Sequence, residues 1–209
     1  INQSAFHRIG GLRDGELSFN TWFDDAADLE HIALRGLPTT DVQVMFAQGT
    51  VLGDAAACIV GKQMNYDWAR GADGSLQGTV QALANAFGLT WGRLLTAGKR
   101  TDAAATNGVG VDHSASSAFG LVAFLQVFAF TGTSVTVKLQ ESSDDGVADP
   151  YADVTGGAFA AVSAANVVER IVTTLTLTVE RWLRVVTTGT FTNAVFAVVV
   201  DKHVSSVDY

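Results

Sequence analysis

Asp112-His113-Ser114 sets the three residue types of a nucleophilic triad side by side, and that adjacency rules the chemistry out. In a triad the base must touch both partners through space, whereas neighbours on an extended chain point to opposite faces. The four histidines, His7, His31, His113 and His203, stand far apart with no pair at metal-ligand spacing. Each reads as a surface or hydrogen-bonded ring. Gly53 to Lys62 ends in Gly61-Lys62 but lacks the earlier glycine at the right offset and the hydroxyl residue that must follow, so it is no phosphate loop. Gly108-Val109-Gly110 has neither a third glycine nor a helix after it. The run from Asp144 to Asp153 gathers oxygens of the kind Ca²⁺ takes, without helix-loop-helix spacing, and reads as a solvated hairpin loop. Trp22, Trp68, Trp91 and Trp182 suit sugar stacking by type, but their scatter favours packing roles. Cys58, the one cysteine, lies in an apolar run and reads as a small buried side chain; no internal disulfide is possible. No nucleophile, base and orienting group assemble. The chain reads as a non-enzyme that needs neither cofactor nor metal.

The elements that position these residues are strands. Glu16 to Phe23 alternates, with Leu17 and Phe19 on one face. Ala26 to Leu37 carries Leu29, Ile32, Ala33 and Leu37 at near-helical spacing, and Pro38 should end that helix. Strands follow over 41–47, 56–66 and 77–87, and Asn65 to Leu76 reads as a connection turning at Asp73-Gly74. Residues 96–118 are small, polar and glycine-rich, which suggests a linker. Beyond it, Leu121–Phe130, Thr133–Gln140, Ile171–Thr187 and Ala194–Val200 read as separate strands of a β-sandwich, Ig-like or jelly-roll. The division expected is thus a domain over 1–98, a linker over 99–118 and a sandwich over 119–209.

At 209 residues with 48% hydrophobic and 16% charged, the chain can bury a substantial core and is no disordered segment. The formal charge of −8 is spread evenly: 10 acids and 6 bases before residue 99, 11 and 7 after it. Neither half is a basic clamp for nucleic acid. No secretory signal pattern opens the chain, and the longest apolar run, Leu121 to Phe130, is too short to span a bilayer, so no membrane insertion is expected. Beginning at Ile1 rather than Met, the chain is expected to lack an upstream segment or to be processed.

The segments Gly10 to Phe19, Gly36 to Asp41, Lys62 to Asp67, Asp73 to Leu76 and Gly88 to Gly92 resemble the major tail (tail tube) proteins of long-tailed bacteriophages, especially those of actinobacteria. The likeness is best over residues 1–98 and continues more loosely through Ala97 to Asp102 and Leu125 to Thr133. It implies a compact β-sandwich with one flanking helix, whose copies join as rings, usually of six, and stack into a hollow tube. An appended outer β domain is common. The partners implied are other copies, other tail proteins and phage DNA in transit without tight binding, with assembly in the host cytoplasm and residence in the virion tail. Among scattered acids, Asp67 and Asp73 are the first candidates for a lumen or ring interface because they flank the connection of a long strand pair; Asp14 and Glu16 are the others. A reading of a different class is a capsid or tail decoration module, an adhesin holding host-surface carbohydrate through Trp182, Tyr151 and the acidic loop.

Overall fold

A computed structural model describes residues 14–26, 30–37 and 39–205. In chain order the elements are β1 (Glu16–Trp22), α1 (Glu30–Leu34), β2 (Val42–Ala47), β3 (Ala55–Arg70), β4 (Leu76–Ala84), β5 (Thr90–Leu94), β6 (Arg100–Asp102), β7 (Val111–Asp112), β8 (Leu121–Ser142), β9 (Ala152–Ala158), β10 (Val167–Val172) and β11 (Trp182–Lys202). The protein is mainly β, as its alternating sequence predicts. The helix is shorter than the 26–37 expected, although residues 27–29 and Pro38 fall outside the described residues. Its last helical bond is from Arg35 N–H to the His31 carbonyl, and Leu37 then takes a left-handed φ of 39°, which ends helical continuation.

The chain divides into two compact units: the described residues of 1–42 with 59–89, and those of 43–58 with 90–208. This differs from the expected division at residue 98. β5 belongs with the later strands, and residues 99–118, read above as a linker, supply β6 and β7, both paired with β11.

In the smaller unit the strand order is β1-β4-β3, all antiparallel. The connection expected over 65–76 is tighter: β3 runs on to Arg70, and a turn closes through the Gly71 N–H to Ser75 carbonyl bond at 2.8 Å. Register assigns the faces. Phe19, Val80 and Tyr66 align on one side, and Asn20, Thr79 and Asp67 on the other. The first side packs Phe23, His31, Tyr66 and Trp68 into edge-on and tilted ring contacts at 4.9 to 5.8 Å. A bulge between Gln63 and Asn65 interrupts the ladder, and the Asn65 side-chain oxygen accepts the Gln81 N–H at 2.8 Å.

The larger unit is organised by one ribbon. β8 and β11 pair along nearly their whole lengths, so Leu121–Phe130 and Thr133–Gln140 are one strand and Ala194–Val200 is part of another. A straight strand of 21 residues would reach about 70 Å. Yet Lys202, at one end of β11, donates from Nζ to the carbonyl of Glu180, just before the other end, at 3.0 Å. The ribbon therefore folds back on itself. The fold occurs where register shifts interrupt β11 at 190–193 and where Gly132 and Gly189 take φ of 150° and 120°. Its two halves become the two layers of a sandwich. Leu121, Ala123, Leu125, Phe196 and Val198 from one half share a buried core with Val135, Val137, Leu139, Leu183 and Val185 from the other. At the layer margins, β10 pairs with the first half of β8 and β9 with the second.

The strand expected over Ile171–Thr187 is not continuous. β10 stops at Val172, and 173–181 form an arch that carries the chain towards the start of β11. Thr173 turns inward there, its hydroxyl accepting the Leu121 N–H at 2.8 Å. Val179 bridges to Ser117.

Candidate functional site

The four acids singled out from sequence lie in the smaller unit, and all four are exposed. Glu16 and Asp67 share the polar face of the β1-β4-β3 sheet with Ser18, Asn20, Thr79 and Gln81. Glu16 accepts from Gln81 Nε2 at 2.7 Å, and Asp67 from Asn65 Nδ2 at 2.8 Å. Asp73 sits in the β3–β4 turn, where its carboxylate accepts from the Ser75 N–H at 3.0 Å and hydroxyl at 2.7 Å; these bonds hold it below the usual carboxylate range. Asp14 precedes β1 and accepts from the Gly15 N–H at 2.8 Å. Register thus gathers two of the four on one face and leaves two at its borders.

Trp182 and Tyr151 lie in the larger unit with their ring faces engaged. The Arg184 guanidinium lies 4.0 Å from the Tyr151 ring centroid, and that of Arg181 lies 5.6 Å from that of Trp182. The Tyr151 hydroxyl donates to Asp145 at 2.7 Å. In the acidic loop beside them the carboxylates turn onto their own backbone. Asp144 accepts the N–H groups of Val147 at 3.0 Å, Ala148 at 2.7 Å and Asp149 at 3.1 Å, which lowers its pKa. Asp153 binds Lys138 at 2.6 Å and Gln140 at 2.7 Å.

The Asp112-His113-Ser114 run makes no relay. Asp112 grips Arg181 through two bonds, at 2.7 and 2.5 Å, and that guanidinium holds its carboxyl down to about 2. His113 is kept neutral instead, its pKa pushed to about 4 chiefly by burial, with the charges of Lys202 and Arg93 adding to it. His31 shares a hydrogen bond with the Tyr66 hydroxyl at 3.1 Å, and His203 with the Phe119 carbonyl at 3.0 Å; His7 lies outside the described residues. Cys58 is buried, and burial pushes its thiol up to about 12, so it is no nucleophile at neutral pH.

An open cleft of about 510 Å³ lies in the larger unit, lined among others by Asp54, Trp91, Arg93, His113, Asp201 and Lys202. Of these, the sequence had singled out Trp91 and His113. The others come from segments scattered between residues 54 and 202, and only the folded ribbon brings them together.

No family model, no curated protein and no solved structure matches the chain. Function therefore has to be read from the side chains and edges themselves.

Proposed function

We propose that the chain is a structural subunit of a bacteriophage tail tube, one copy among many in rings that stack around a bore for DNA. The observation that carries this reading is the β1-β4-β3 sheet. One of its faces is mostly polar, with exposed Trp22 at one end, and bears exposed Glu16 and Asp67, and its outer strand β1 is paired on one side only among the described residues. Alternate residues of this seven-residue strand turn their backbone N–H and C=O groups away from β4, with no strand to meet them among the described residues, a template for another chain. A neighbouring copy that takes up this edge removes the liability, and closure into a ring removes it for every copy.

The charge fits the task. A conduit must let phosphates pass, and acids facing the bore repel them, whereas a lysine-rich wall would hold them. Net charge of −8 has the right sign. In this reading the partners are other copies and other tail proteins, the C-terminal sandwich stands on the outside of the tube, and the chain performs no covalent chemistry.

Negative-stain micrographs of the purified chain, with any upstream segment restored, test it. Stacked rings with a central bore are expected. A protein that stays monomeric at high concentration overturns the reading.

A further inference from the structure

The register of β5 against β11 sorts the lining of the cleft by face. Val200 pairs with Arg93, and the same ladder sets Lys202 opposite Trp91. Side chains alternate along a strand, so Trp91, Arg93, Val200 and Lys202 point to one side of the sheet, and Asp201 points to the other. Asp54 belongs to that other side as well. Its carbonyl accepts the Leu94 N–H at 2.9 Å, opposite Leu94 in the ladder, and its carboxylate turns back onto the Val51 N–H at 2.9 Å. Both acids at the rim thus aim away from the indole and the cations.

The groups left on the near side carry one sign. Trp91 is 57% exposed, an unusual state for so large an apolar surface. Arg93, two residues along, is exposed and makes no hydrogen bond or ion pair among the described residues, so its five donors remain available. Lys202 Nζ holds the carbonyls of Glu180 and Ala115, which leaves one proton free. His113 enters from the other layer, just past β7, with its N–H on the Arg181 carbonyl at 3.0 Å. The charges of Lys202 and Arg93 both act on its ring, whose Nε2 is buried without a hydrogen-bond partner among the described residues. The neighbouring carboxylate of Asp112 is committed to Arg181. On a chain of net charge −8, this is a local reversal of sign.

That combination selects both halves of a ligand. A bare inorganic anion leaves the indole in water, and a neutral ring leaves the guanidinium unanswered. A guanidinium fork matches the paired oxygens of a carboxylate or phosphate, and an indole takes the face of a planar ring. Trp91 and Arg93 stand about 7 Å apart along β5, within reach of one molecule. The cleft volume of about 510 Å³ admits a ligand as large as a mononucleotide. We propose that this cleft binds a small organic anion, its flat ring on Trp91 and its carboxylate or phosphate held by Arg93 with Lys202 and His113 beside it. The site is separate from Trp182 and Tyr151, whose faces already carry guanidinium groups, and it does not depend on whether copies assemble.

Calorimetric titration of the full chain tests this. The probes are AMP, UMP and benzoate, with adenosine, uridine and benzamide as neutral counterparts and inorganic phosphate and acetate as anions without a ring. At least one ring-bearing anion should saturate at millimolar concentration or below. It should bind at least about tenfold more tightly than its neutral counterpart and than the ring-free anion. Arg93→Gln should abolish the preference for charge, and Trp91→Ala should reduce binding to the level of the ring-free anion. Both side chains are exposed, so the thermal midpoint should stay near that of the parent. The proposal is overturned if no ring-bearing anion saturates, if a neutral counterpart or ring-free anion binds as tightly, or if either folded variant keeps the parent's affinity. Should a variant fail to fold, the comparison of ligands on the parent chain decides.

Discussion

Asp102 anchors a buried ion pair in the larger unit. Its carboxylate holds Arg100 through two bonds, at 2.8 and 2.9 Å, and accepts the Thr187 hydroxyl at 2.7 Å, with its side chain 4% exposed. Asp102→Ala strands a guanidinium that is itself only 14% exposed, and such uncompensated charges cost about 3–5 kcal/mol. Urea denaturation should show a loss near the lower bound, because Arg100 keeps its bonds to the carbonyls of Val185 and Thr106. A loss below about 1 kcal/mol would mean those carbonyls suffice. His113 supplies a pH-dependent counterpart. Its folded pKa of about 4 lies below the ordinary 6.5, so its contribution is complete above 6.5. As pH falls from 6.5 towards 4 the unfolded chain takes up the proton first, and stability drops by up to about 1.4 kcal/mol per pH unit. Asp201 and Glu141, both raised by burial, act in the opposite direction. The comparison is therefore with His113→Gln, whose stability should fall less over that window; parallel profiles would remove His113 from the account.

At the scale of elements, the bend in the β8–β11 ribbon depends on two backbone positions. A methyl at Gly189 would collide with the carbonyl oxygen of Ser134, and one at Gly132 with the Phe191 backbone; both residues have positive φ. Gly189→Ala should cost about 1–3 kcal/mol or more, read as a lowered thermal midpoint, while Gly74→Ala in an open turn should cost less. The alternation of Val135, Val137 and Leu139 was legible in the sequence because each side chain obeys the two-residue period of a strand against a core. The arch at 173–181 was not. Leu175, Leu177 and Val179 keep that same period of burial while their backbone leaves the ladder, so a pattern of side chains could not report the break. Residues 99–118 failed in the opposite way. β6 and β7 have three and two residues, too few for any period, and what fixes this stretch is the Arg100–Asp102 pair and backbone bonds to Thr187 and Val185. Of the candidate sites, the acids on the β1-β4-β3 face could be named from the sequence, but their shared face needed the register across the Gln63–Asn65 bulge.

For the whole molecule, the tube reading makes a prediction in the virion. Charge reversal at Asp67 and Asp73 together, as Asp67→Lys and Asp73→Lys, should slow DNA release from particles that still assemble, since added cations would bind phosphates in transit. Ejection at the normal rate would place these acids away from the bore. The larger unit also constrains how the chain is made. β5, β6, β7 and β8 all hydrogen-bond to β11, the last strand of the set to leave the ribosome. Some ninety residues of β-prone chain, from β5 at Thr90 to the start of β11 at Trp182, must then wait without their shared partner, exposed to mispairing and to capture by chaperones. A nascent chain arrested before Trp182 should remain protease-sensitive throughout this unit, and resistance should arrive in one step once that strand emerges.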